Sequence, residues 1–136
     1  MPTTEEWTKV HADLMEKLHL PCKLRFSTKV KVGLHQFEDD GTCHITVNLD
    51  ADFKVPAHLL LHEAAHHRAC EPYRDDIDEK DWCHYGWDGH CTHWAQVLCD
   101  MYQETGIALP QTTSFLEFAK LAGIIRKNFA VEGENA

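Results

Sequence analysis

"PAHLLLHEAAHHRAC", Pro56 to Cys70, decides how the rest of the chain is read. Pro56 suits the first turn of a helix, because the N–H it lacks is one that a helix leaves unpaired there. No Gly or further Pro interrupts the residues that follow, so a helix is expected. Yet histidines and a glutamate follow directly on Leu59, Leu60 and Leu61, where hydrophobic packing alone would not place them. Within "HEAAH", His62 and His66 stand one turn apart, about 40° around the axis and about 6 Å along it, so their imidazoles can converge on one ion. Glu63 lies on the adjacent strip. From there a carboxylate reaches a metal-activated water without itself being a ligand, the position a general base needs.

Working towards the N-terminus, Cys43, Ile45, Val47 and Leu49 alternate with His44, Thr46 and Asn48, the period of a half-buried strand. Before it, "EDDG" (Glu38 to Gly41) carries an Asp-Gly pair that favours a tight reversal. Leu24, Phe26, Thr28, Val30, Val32 and Leu34 also alternate with polar residues, so Lys23 to Leu34 is expected to be a strand, bent or split near Gly33. Thr3 and Glu6 form a capping-box pair, and Trp7, Val10, Leu14 and Leu18 make the apolar stripe of a first helix. The expected fold class is therefore α+β: a small antiparallel sheet packed against helices. The strand Thr42 to Leu49 is expected to offer an edge to an extended substrate.

Towards the C-terminus, Glu71 to Gly89 has Pro, Gly and an acidic run between Asp75 and Asp81, and reads as a long surface loop. Asp88 can cap a helix with Trp94, Val97, Leu98 and Met101 inward, stopped at Thr105 and Gly106. Ser114 and Glu117 can open a last helix with Phe115, Phe118, Leu121, Ala122 and Ile125 inward. Roughly the last eight residues, ending "AVEGENA", are expected to fray. No repeat or linker divides the 136 residues, so residues 1–136 are read as a single domain.

Composition narrows the function. Thirteen Lys and Arg against 22 Asp and Glu give a net charge of −9, which repels a phosphate backbone, so autonomous nucleic-acid binding is not expected. No apolar run approaches the ~20 residues of a membrane span, and "MPTTEEWTKV" contains no apolar signal region. A cytoplasmic chain that engages no membrane is the expectation. Six cysteines, Cys22, Cys43, Cys70, Cys83, Cys91 and Cys99, include no CxxC pair, and are read as reduced, mostly buried thiols. Eleven histidines are the outlier, since His is a frequent metal ligand. His11, His19, His35, His44 and His58 are expected at the surface or partly buried with their hydrogen bonds satisfied, and His67 is placed to pair with Glu63 or to face solvent.

A catalytic zinc commonly takes three protein ligands and keeps a fourth position for water, so His62 and His66 need a third. His84, His90 and His93 are candidates. At this point the chain resembles the SprT-like, or Spartan-type, zinc metalloprotease domain. The likeness rests on "ITVNLD" leading through "VPAHLLLHEAAHH", on "DGHCTHW", and on "CDMYQETG". It covers Thr42 to Gly106, and more loosely the segments before. The resemblance implies a zincin-type arrangement of active-site helices, Zn2+ as cofactor, His62, His66 and His90 as metal ligands, and Glu63 as general base. It implies a zinc-dependent endopeptidase acting on a protein or peptide substrate, with any recruiting partner unknown. Cys91 and Thr92 stand where the family usually has Gly and Pro. Tyr73, Tyr85 and His93 are candidate donors to the oxyanion. A non-catalytic, zinc-stabilised protein-binding module is the alternative.

Overall fold

The structure is a computed structural model that describes residues 2–51, 53, 55–70 and 92–108. The chain divides into two compact units, Met1–His67 and Arg68–Ala136. In chain order the elements are α1 (Thr4–Leu18), β1 (Lys23–Phe26), β2 (Gly33–Phe37), β3 (Cys43–Val47), α2 (Pro56–Cys70) and α3 (Thr92–Thr105). Helix α2 runs through the boundary of the two units.

Helix α1 begins as its capping residues predict. The Thr3 hydroxyl oxygen accepts the Glu6 backbone N–H at 3.1 Å, satisfying a donor with no partner in the first turn. Trp7, Leu14 and Leu18 of the expected stripe are buried, joined by Met15, whereas Val10 is only half-buried. The helix ends with His19 in the left-handed region at φ 55°, where the N–H groups of His19 and Leu20 return to Glu16 and Met15 carbonyls. The chain then turns into β1.

The class is α+β, but the sheet corrects two expectations. It is mixed rather than antiparallel: the order is β1-β3-β2, with β1 parallel to β3 and β2 antiparallel to it. The reason lies in residues 27–32, which do not continue β1. The Asn48 side-chain amide donates to the Val30 carbonyl at 2.9 Å, and the Asn48 backbone N–H donates to the Val32 carbonyl. Held in this way, the segment carries the chain to the far side of β3, and β2 enters against that strand's other edge. Leu34 consequently pairs with Thr46 on the outer face and is 40% exposed, while Gly33, His35 and Phe37 take the inner face. The second correction concerns the substrate edge. β3 is the central strand, hydrogen-bonded on both sides, and among the described residues the outer strands are β1 and β2.

The β2–β3 reversal is the expected Asp-Gly turn. The Glu38 N–H donates to the Thr42 carbonyl at 2.8 Å, and Gly41 adopts φ +89°, a conformation that disfavours side chains. On the outer face, Arg25 donates to Thr46 at 2.9 Å, to Gln36 at 2.7 Å and to Glu38 at 3.0 Å, knitting the three strands with polar groups. The inner face supports α2. A Cβ on Gly33 would fall 3.0 Å from the Leu59 side chain, so the missing side chain is what lets the helix lie this close. Leu59, Leu60, Leu61, Ala64, Ala65 and Ala69 are buried, and the three alanines allow neighbours near the α2 backbone.

In the second unit, Trp94, Val97, Leu98 and Met101 of α3 are buried as the stripe predicts. The helix stops at Gly106, φ +73°, whose N–H donates to the Tyr102 carbonyl. Arg68 pairs with Glu104. The acidic stretch Asp75–Asp81, the Asp88 cap, the helix opened at Ser114 and the frayed terminus lie outside the described residues.

Candidate metal centre

Helix α2 brings His62, Glu63 and His66 together. One ligand atom from each lies within 4.8 Å of the others. The two imidazole centroids are 5.1 Å apart with planes at 69°, so the rings meet as neighbours one turn apart, as the spacing predicts. His62 and His66 are half-buried and Glu63 is 5% exposed. That burial pushes the Glu63 carboxyl up to about 7, and a hydrogen bond from the His35 backbone works in the opposite direction. The side chains present fit a divalent metal, with two imidazole nitrogen donors and a carboxyl group beside them.

His90, the third ligand implied by the resemblance, lies outside the described residues, as do His84, Cys91, Tyr73 and Tyr85. His93 belongs to α3.

A second group was not expected. Cys22, His35, Cys43 and His67 also place one ligand atom each within 4.8 Å of one another. Cys22 precedes β1, His35 is on β2, Cys43 opens β3 and His67 is on α2. Cys22, Cys43 and His67 are buried and His35 half-buried. The two sulfurs are 3.6 Å apart, and His35 Nε2 is hydrogen-bonded to His67 Nδ1 at 3.0 Å, one ring donating and the other accepting. Burial, with His67 alongside, pushes His35 down to about 3. Burial next to Cys43 raises the Cys22 thiol, so both groups are held neutral. The expectation of a solvent-facing His67 is therefore corrected: it is buried and bonds to His35 on the sheet. Four residues with no common spacing gave no local motif. The one available signal was that Cys43 alternates in phase with Ile45 and Val47, which puts its thiol on the inner face that α2 must cover.

Of the other histidines of the first unit, His11 fits the expectation of a satisfied, partly buried ring, whereas His44 departs from it, because its Nδ1 is buried without a hydrogen-bond partner among the described residues. His11 Nε2 donates to the Cys22 carbonyl at 2.8 Å, and burial lowers its pKa. His44 Nδ1 lies 3.3 Å from Glu38 Oε1. His19 closes α1. Cys22, Cys43 and Cys99 are buried and form no disulfide among the described residues.

In comparisons with known proteins, no family model, no curated protein and no solved structure matches the chain. Among the described residues no helix is long and apolar enough to cross a membrane.

Proposed function

We propose that this protein is an SprT-like, zinc-dependent endopeptidase whose metal is held by His62, His66 and a third histidine, His90. The observation that carries the reading is the convergence of His62, Glu63 and His66 within 4.8 Å, with the glutamate buried beside two half-buried imidazoles. Zinc held there would provide Lewis acidity and would lower the pKa of a bound water from 15.7 to about 7. Glu63 would take a proton from the attacking water and return it to the leaving amine, the role of a general acid–base placed beside the metal. Ala64 and Ala65, buried between the two ligand histidines, keep that stretch of α2 free of bulk and of competing donors. No Ser or Cys nucleophile is required. The acidic charge of the chain favours protein or peptide substrates over nucleic acid.

The test is hydrolysis of unstructured protein substrates by zinc-reconstituted protein and by Glu63→Gln. Loss of turnover with zinc content unchanged supports the enzyme. Full activity in Glu63→Gln sinks the mechanism. Binding of a protein partner that is indifferent to both Glu63→Gln and substrate turnover would instead favour a zinc-stabilised binding module.

A further inference from the structure

Cys22, His35, Cys43 and His67 play no part in the proposed hydrolysis, yet their arrangement calls for an occupant. We propose that these four residues form a second, closed zinc site, which clips helix α2 to the sheet.

The distances suit one tetrahedral ion. With Zn–S near 2.3 Å and Zn–N near 2.05 Å, tetrahedral angles put two sulfurs about 3.8 Å apart and two nitrogens about 3.3 Å apart. The thiols stand at 3.6 Å and the ring nitrogens at 3.0 Å, so both pairs need to open by only a few tenths of an ångström. All four donors lie within 4.8 Å of one another, which fits a single centre; a two-iron cluster with the same donors would divide the cysteines and histidines between different irons.

The charge also balances. Binding replaces two S–H bonds with two Zn–S bonds and releases two protons to solvent. Two thiolates, two neutral imidazoles and Zn2+ then sum to zero, the charge state that a largely buried site tolerates. The hydrogen bond between the imidazoles is exchanged for two metal–nitrogen bonds. Paired thiolate and imidazole donors with no open position select zinc and leave no place for a substrate or catalytic water.

The ligands come from the α1–β1 connection, both strands of the hairpin, and α2. The unit they tie together ends at His67, a size at which a hydrophobic core alone is thin. His67 and Glu63 lie four residues apart on one strip of α2, so a metal fixed at His67 also fixes the helix face that presents Glu63.

Cobalt titration of the reduced, metal-free full-length chain tests this, because Co2+ bound to thiolate gives an intense near-ultraviolet charge-transfer band and a nitrogen–oxygen site does not. Wild type is expected to show the band and to take up two equivalents of metal. His62→Ala/His66→Ala should retain the band and one equivalent, while Cys22→Ser/Cys43→Ser should lose the band together with one equivalent. The wild-type spectrum requires no variant to fold. No thiolate band in wild type overturns the proposal, as does a band that survives in Cys22→Ser/Cys43→Ser. So does isolation of the chain under non-reducing conditions with Cys22 and Cys43 joined as a disulfide and no metal at this site. If the band is present but only one equivalent binds, the second site stands and the peptidase reading fails.

Discussion

The two ligand groups on α2 contrast in closure. His62, Glu63 and His66 come from a single helix and supply two nitrogens and a carboxyl, with both imidazoles half-buried. Cys22, His35, Cys43 and His67 come from four parts of the first unit and supply four donors, three of them from buried residues. An incomplete, accessible set suits chemistry, because it leaves room for water. A complete, buried set suits stability, because a metal held there is contributed only by the folded chain. Adjacent residues, His66 and His67, fall into different groups because a 100° step around the helix turns one towards the partly open side and the other towards the sheet. On the two proposed assignments, α2 carries the His62 and His66 imidazoles on one strip, and Glu63 together with the structural ligand His67 on the next.

The largest expected effect separates those duties by activity. Glu63→Gln should reduce turnover on the order of 10²–10⁴-fold, the usual contribution of general acid–base catalysis. Its cobalt charge-transfer band should be unchanged. Steady-state kinetics and the cobalt spectrum on the same preparation check this, and a variant that loses both signals would mean the groups are not separable.

Next in size is the stability effect. Zinc at a thousandfold excess over its dissociation constant contributes about 4.1 kcal/mol, and chelation should therefore lower Tm by roughly 10–20 °C for a chain of this length. His62→Ala/His66→Ala should keep most of that shift. Cys22→Ser/Cys43→Ser should abolish most of it. Differential scanning calorimetry with and without chelator would refute the division of labour if the two double variants behaved alike.

A third effect sharpens the contrast at Glu63 itself, in metal-free protein. Its pKa rises from 4.5 in the open chain to about 7 when folded, so the folded state disfavours the ionised form. The resulting penalty is absent below pH 4.5, grows as the pH rises to about 7, and is constant above. Its full size is on the order of 3 kcal/mol. Metal-free Glu63→Gln should therefore be more stable than metal-free wild type at pH 8, and the gap should close towards pH 4.5. Urea unfolding at the two pH values measures it. Equal gaps would mean that Glu63 is not desolvated by the fold.

The same contrast explains what could be read from the residues alone. The HEAAH group is legible because helical geometry converts a spacing of four into proximity, whatever the rest of the chain does. The Thr3 cap, the Gly41 turn, the buried stripe of α3 and its stop at Gly106 were legible for the same reason, each being fixed within a few residues. What failed depended on pairing across distance. Leu34 alternates in phase with Leu24 and Phe26, yet residues 27–32 leave the sheet and break that phase. The direction of β1 against β3 is set by where Asn48 anchors this crossing, which no local period encodes. Cys22 and Cys43 are twenty-one residues apart. Nothing between them marks them as partners until β1 and β3 lie side by side.

The smallest effect tests whether the closed group depends on how α2 meets the sheet. Gly33→Ala would put a Cβ 3.0 Å from Leu59 Cδ1 and 3.1 Å from Leu59 Cδ2, so that Leu59 or the backbone must give by a few tenths of an ångström. Leu59 is buried, so it has little room to retreat, and overpacking of this kind costs about 1–3 kcal/mol. The strain is relieved most easily by easing α2 away from β2, which draws His67 from His35 while leaving His62, Glu63 and His66, all on one helix, at their mutual spacing. Gly33→Ala should therefore weaken cobalt binding at the thiolate site more than it lowers kcat. Leu59→Val, which shortens the opposing side chain, should restore much of that binding in the Gly33→Ala background. If the double variant is worse than either single variant, the loss comes from the strand itself and not from the fit between helix and sheet, and the clip would then have to be set by the hairpin alone.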